Sequence, residues 1–112
     1  MENIQHRTIE INELNLHIAE VGEGPLIILT HGFPESWYSW RYQLPVLAQA
    51  GYKAVALDMP GYGDSDAPED IHRYNQIALS DDVAALATAL GYDKFIVIGH
   101  DWGAPTAWYT AL

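Results

Sequence analysis

The sequence predicts an α/β fold: a parallel sheet covered by helices and led in by an antiparallel hairpin. Three observations carry this. Three short runs, LIILT (Leu26–Thr30), KAVAL (Lys53–Leu57) and KFIVI (residues 94–98), are continuously apolar, as strands buried on both faces are. Stretches with helical spacing separate them. Ahead of them lie two segments in which apolar and polar residues alternate, the pattern of a strand with one buried face.

In chain order, residues 6–11 and 14–21 place Ile9, Ile11, Leu14, Leu16 and Ile18 on one face, with Asn12-Glu13 as the turn between them. Asn-Glu is a poorer hairpin pair than Asn-Gly. GEGP at 22–25 ends the alternation, and LIILT follows. Residues 37–50 are aromatic and apolar, a helix that Pro45 is placed to break or kink. KAVAL comes next. Over 74–90, Leu79, Val83, Leu86 and Leu90 fall on one helical face, with Asp81 and Asp82 on the solvated side and Gly91 at the end. KFIVI is the last strand, and residues 103–112 read as a helix without a closing cap signal. The order β-β-β-α-β-α-β-α contains no repeat, low-complexity tract or linker.

With 112 residues, 49% of them hydrophobic and 18% charged, the chain has room for one globular domain. A formal net charge of −10 repels phosphate backbones and anionic lipid, which argues against nucleic-acid and membrane partners. There is no cysteine, so disulfides, thiolate nucleophiles and cysteine metal sites are excluded. The N-terminal MENIQHRTIEIN has neither a basic nor an apolar leader region. No apolar run approaches the roughly 18 residues of a membrane span. A soluble, cytoplasmic protein is expected.

In parallel sheets, ligands sit beyond the carboxyl ends of the strands. Three loops there are unusual: HGFPESW after LIILT, DMPGYGDSD after KAVAL, and GHDWG after KFIVI. The last has the small-x-nucleophile-x-small form of a nucleophile elbow, with Asp101 at its centre and Gly99 and Gly103 leaving room for close passage. Asp101 as a plain N-cap of the next helix is the other reading. The first loop, His31-Gly32-Phe33-Pro34, stands where an oxyanion-hole loop belongs. Backbone N–H groups of Phe33 and Trp102 would form the hole, and Pro34 would fix the turn. His31 and His100 read as structural, and His6, His17 and His72 as surface residues. None makes a metal-ligand spacing with another, so no metal is expected. GYGDSD lacks the third glycine of a dinucleotide loop, and no Gly-Lys-Ser/Thr occurs, so no nucleotide cofactor is expected either.

The block HGFPESWYSWRYQLPVLAQAGYKAVALDMPGYGDSDAP, with GHDWG, resembles the α/β-hydrolase-type epoxide hydrolases from Leu26 onward. The resemblance implies the α/β-hydrolase fold, Asp101 as nucleophile, and Phe33 and Trp102 as oxyanion donors. Phe33, Trp37 and Trp102 would supply an aromatic floor to the pocket. It also implies an epoxide and water as the reactants, without a cofactor. A carboxylate, ionised at neutral pH, attacks a saturated electrophilic carbon directly, which a serine does not do unaided.

Haloalkane and haloacid dehalogenases are the rival enzymes. The former carry Asn where this chain has Phe33. Fluoroacetate dehalogenases place Arg after the nucleophile, where this chain has Trp102. Both departures favour the epoxide. The histidine and acid that activate water, and two cap tyrosines, come later in that family. Residues 1–112 therefore read as the N-terminal portion of a single α/β-hydrolase domain, inactive alone, ending after the elbow. A non-catalytic binding or assembly module is the reading from another class. The sequence leaves the oligomeric state open.

Overall fold

The computed structural model describes residues 4–32, 35–69, 71–101 and 103–111. Five strands form one open sheet in the order β1-β2-β4-β3-β5. β1 (Gln5–Ile11) and β2 (Leu14–Val21) pair antiparallel, and β2 pairs antiparallel with β4 (Lys53–Leu57). From there the sheet is parallel: β4 with β3 (Leu26–Thr30), and β3 with β5 (Phe95–Gly99). The hairpin turn holds Asn12 at φ 49° and Glu13 at φ 71°, the left-handed pair of a type I′ turn. Glu13 thus takes a conformation that glycine adopts more cheaply.

Alternation along the parallel strands divides two cores. Leu26, Ile28, Val55 and Leu57 face one way and meet Val83, Leu86 and Ala87 of α2 (Gln76–Ala89). Ile27, Leu29, Ala54 and Ala56 face the other way and meet Leu44 of α1 (Gln43–Gln49). The small alanines of β4 let α1 sit close to the sheet. The result is a three-layer sandwich, with α3 (Gly103–Ala111) packed beside α2 against β5.

Three expectations need correction. The stretch 37–50 is a 3-10 turn (Trp37–Trp40) followed by α1, and Pro45 does not break α1. It is the third residue of that helix, in the first turn, where no backbone N–H is needed. Asp82 is not on a solvated face. It is fully buried, accepts from Arg73 Nη1 and Nη2 at 2.8 and 2.7 Å, and accepts from Asn12 Nδ2 at 3.0 Å. The hairpin turn and residue 73 fold over that side of α2, which a helical wheel cannot show. Finally, β5 is not buried on both faces. No described strand lies beyond it, and Ile96 and Ile98 are 48% and 38% exposed.

The helix ends follow their local signals. The Asn75 side chain caps α2 by accepting from Ala78 N at 2.8 Å. Gly91, at φ 88°, closes it, with Tyr92 N bonded back to Ala87 O at 3.0 Å. Among the described residues no helix is long and apolar enough to cross a membrane.

Candidate active site

The turn leaving β5 folds tightly. His100 N continues the ladder to Thr30 O at 3.1 Å, Gly103 N reaches back to His100 O at 2.8 Å, and Ala104 N to Asp101 O at 3.0 Å. Closing the chain so sharply forces Asp101 to φ 56°, and the residue is exposed at the sheet end. An ordinary N-cap has extended backbone. The two described caps that accept with a side chain behave that way: Ser36 at φ −154° and Asn75 at φ −72°, ψ 161°. Asp101 is in the left-handed region, unlike either.

Three glycines make that geometry possible. A Cβ on Gly99 would lie 2.5 Å from Gly103 C, and one on Gly103 would lie 2.5 Å from His31 O. A Cβ on Gly32 would lie 2.5 Å from Asp101 Cβ and 2.9 Å from Asp101 Oδ2. The Thr30 hydroxyl, fully buried, donates to Gly103 O at 2.9 Å and ties β3 to the start of α3. Loop and turn are therefore held against each other by backbone, with no room for side chains between them.

His31 is buried and joins two loops. Its Nδ1 donates to Gly32 O at 2.8 Å, and its Nε2 accepts from Met59 N at 3.0 Å. That pattern needs the neutral ring, and burial pushes its pKa below the ordinary 6.5.

Two acids at the site escaped the sequence reading. Glu35 Oε1 accepts from Gly32 N at 3.0 Å and lies 3.3 Å from His100 Nδ1, while Ser39 Oγ donates to Oε2 at 2.9 Å. Ser39 first, then His100 and the Gly32 N–H, hold this carboxyl below its ordinary 4.5, against the opposing effect of burial. His100 is largely exposed. Asp58, at the end of β4, is fully buried and accepts from Trp37 N at 2.7 Å and Asp64 N at 3.0 Å. Its Oδ2 meets His17 Nδ1 at 2.7 Å. The signal for both was their place: each is the acid nearest the carboxyl end of a buried strand.

His17 is consequently buried, 5% exposed, and not the surface residue its alternation implied. His17, Asp58 and Asp64 bring three possible metal ligand atoms within 4.8 Å of one another. Asp58 already accepts from two backbone N–H groups and the His17 ring, so the cluster acts as a brace for the 35–40 and 58–66 loops. Trp37 sits against His6 (ring centroids 4.7 Å apart) and the α1 side of the core, and it does not line the described cavities. The remaining site expectations, Phe33, Pro34 and Trp102, lie outside the described residues, as does the side chain of His72.

Residues 25–112 match the family model described as alpha/beta hydrolase fold. The chain belongs to the α/β-hydrolase family. Within that family its resemblances agree with one another. It is 47% identical over all 112 residues to epoxide hydrolase 2 of Siraitia grosvenorii, covering 35% of that protein. It is 50% identical over 99 residues to bifunctional epoxide hydrolase 2 of Sus scrofa, covering 88% of this chain and 18% of that one. Among solved structures, an epoxide hydrolase from Vigna radiata superposes with a TM-score of 0.92 at 50% identity, over 96% of this chain and 35% of that chain. This α/β-hydrolase chain thus spans about a third of the first of these relatives.

Proposed function

We propose that this chain carries the nucleophile of an epoxide hydrolase. The observation that carries the reading is an exposed aspartate held at positive φ beyond β5, one glycine away from the loop after β3. Similarity to proteins named epoxide hydrolases supports it. In this reading an Asp101 carboxylate oxygen attacks an epoxide carbon. The ring C–O bond breaks, and the alkoxide takes a proton to give a hydroxyalkyl ester. Water then adds to the ester carbonyl carbon, the acyl C–O bond breaks, and the diol leaves with Asp101 restored. Backbone N–H groups of Phe33 and Trp102 would receive the oxyanion of the second step. Removing one such donor typically lowers the rate about 10²–10³-fold.

Glu35 takes a positioning role here. It fastens Gly32 N and faces His100, bracing the end of the loop after β3 on one side and the turn that carries Asp101 on the other. The water-activating histidine, its acid and the cap tyrosines come from outside residues 1–112. Residues 1–112 alone are therefore expected not to turn over, with alkylation of Asp101 going at most once.

The test is a chimaera joining residues 1–112 to the remaining two-thirds of the Vigna radiata enzyme. Diol release from styrene oxide, abolished by Asp101→Ala, is the expected result. Halide release from a haloalkane without diol formation would assign the chain to the dehalogenases. A folded chimaera active on neither, beside an active Vigna parent, would favour the non-catalytic module.

A further inference from the structure

Behind the site, three side chains form one hydrogen-bonded line. Asp58 Oδ2 lies 2.7 Å from His17 Nδ1, and His17 Nε2 lies 3.0 Å from His6 Nδ1. The line starts at a fully buried carboxylate, passes through a buried ring and ends at an exposed one on β1. In the sheet, β1 is the edge opposite β5, the strand that leads to Asp101.

The geometry fixes which nitrogens carry hydrogen. A carboxylate only accepts, and Asp58 already accepts from Trp37 N at 2.7 Å and Asp64 N at 3.0 Å. The His17 hydrogen therefore sits on Nδ1, which leaves Nε2 of the neutral ring as an acceptor. His6 Nδ1–H is the donor placed to meet it. The ring centres are 5.2 Å apart, the nitrogens 3.0 Å, and the planes differ by 5°. The difference between the two distances is about two ring radii, so both nitrogens lie on the line of centres and the rings share a plane. Each ring meets the other edge to edge, the alignment of a donated hydrogen bond. A bond accepted at Nε2 also makes Nδ1–H the stronger donor, so the two links of the line reinforce each other.

Asp58 passes this on to the loop after β3. Its Oδ1 accepts from Trp37 N at one end of that loop, and the next residue, Met59, donates its N–H to His31 Nε2 at the other. Both ends are thus tied to two consecutive residues beyond β4. The 58–66 loop encloses the carboxylate so closely that a Cβ on Gly63 would lie 2.7 Å from Asp58 Oδ1 and closer still to Oδ2. A turn of the carboxylate is therefore passed to Trp37 N, with little slack to absorb it.

We propose that His6 is a positioning residue, which orients His17 as the donor to Asp58 and through Asp58 sets the loop after β3 from the opposite side of the sheet. What this does for the reaction rests on the epoxide reading, which gives that loop an oxyanion donor. The line of side chains stands without it.

His6 also packs edge-on against the Trp37 ring, with centroids 4.7 Å apart, so the test has to part the bond from the packing. Asn carries its amide nitrogen where histidine carries Nδ1, and so keeps the donor without the ring. Phe keeps a ring without the donor. His6 is exposed, so neither change enters the core. Long-range ¹H–¹⁵N spectra of the 112-residue chain above neutral pH should show hydrogen on Nδ1 of both His17 and His6. His6→Phe should move the Trp37 and Asp64 amide resonances and speed hydrogen exchange at Trp37 about two- to tenfold, the net worth of one hydrogen bond. His6→Asn should restore both. The proposal is overturned by a His17 hydrogen on Nε2, by a His6→Phe chain whose Trp37 amide matches wild type, or by a His6→Asn chain that departs as far as the Phe variant. In the chimaera, His6→Phe should lower kcat for diol release several-fold, less than the roughly 10²–10³-fold of losing an oxyanion donor outright, and leave kcat/KM nearly unchanged. His6→Asn should recover that loss as well. Equal losses in kcat and kcat/KM would count against action through this loop. No diol from the unsubstituted chimaera, with the His17 tautomer as expected, would count against the epoxide reading alone.

Discussion

Replacing Gly103 by alanine tests whether close backbone packing holds the turn around Asp101. The residue opens α3, and its φ is not in the left-handed region, so alanine is conformationally welcome there. Helix propensity alone would favour the change by up to about 1 kcal/mol. Against this, the new methyl would lie 2.5 Å from His31 O and closer still to Thr30 O, both backbone atoms at the end of a fully buried strand. No rotamer relieves such a contact. Overpacking of this kind costs about 1–3 kcal/mol, occasionally more, and the absence of a movable side chain puts it at the upper end. The net expectation is a loss of about 2 kcal/mol, a fall in Tm of roughly 10 °C for a chain of this size. Urea denaturation with an unchanged m-value is the measurement. Gly91→Ala is the matched control: its site is open but at φ 88°, so it carries only left-handed strain, about 1–2 kcal/mol. The two differ in where they act. Gly103→Ala should move the Thr30, Gly32 and Asp101 amide resonances, and Gly91→Ala should leave them in place. A Gly103→Ala variant within about 0.5 kcal/mol of wild type, with the Asp101 amide unmoved, would refute the packing argument.

Further outcomes follow from the same contacts. Thr30→Val keeps the shape but takes the hydroxyl from Gly103 O, and should cost about 0.5–1.5 kcal/mol in urea-derived stability, the net worth of one buried hydrogen bond. Asp82→Ala strips Arg73 and Asn12 of their common partner and should cost about 2–3 kcal/mol, less than a fully enclosed pair because Arg73 keeps some access to water. Asp82→Asn, which retains an acceptor for Asn12, should cost less. The lowered pKa of His31 gives a signed pH dependence. Below 6.5 the unfolded chain binds a proton that the folded chain refuses. This contribution is therefore fully present above 6.5 and is lost as the pH falls from there through the folded value, at no more than about 1.4 kcal/mol per pH unit. An NMR titration showing the His31 ring charging at or above 6.5 would contradict it.

The strands were legible because each is short, apolar and closed by a turn signal, and a buried strand needs nothing more. Burial of polar residues was not. Asp82 and His17 both sit where local periodicity points outward or is ambiguous. Their burial depends on partners distant in sequence: Asn12 of the hairpin turn, which meets Asp82 beside Arg73, and Asp58 at the end of another strand. Glu35 was hidden for a different reason. It lies inside the most conspicuous motif of the chain, between Pro34 and Trp37, where the eye goes to glycine, proline and aromatics. Its partners, Gly32 N, Ser39 and His100, come together only once β3 and β5 lie side by side. Pro45 misled in the usual direction: a proline ends a helix from inside but starts one from its first turn, and the sequence alone does not say which turn it is in.

Asp101 itself allowed two readings in the sequence, nucleophile or helix cap, and stability separates them by sign. A capping aspartate stabilises its helix, and its replacement by glycine costs a few tenths of a kcal/mol. A residue with a Cβ held in the left-handed region costs about 1–2 kcal/mol, which glycine does not incur. At φ 56° Asp101 belongs to the second class. Its surroundings confirm that the conformation is imposed: Gly32, Gly99 and Gly103 hold the backbone from three sides, and Thr30 fastens the far end of the turn. A fold has no need of such an arrangement to cap a nine-residue helix, because Asn75 caps a longer one from relaxed backbone. Asp101→Gly should accordingly raise stability by about 1 kcal/mol, read as a higher urea midpoint, while removing the carboxylate that the proposed alkylation needs. Destabilisation by that substitution would mean that the side chain contributes more to the fold than its strained backbone costs, and the case for a nucleophile at this turn would lose its structural support.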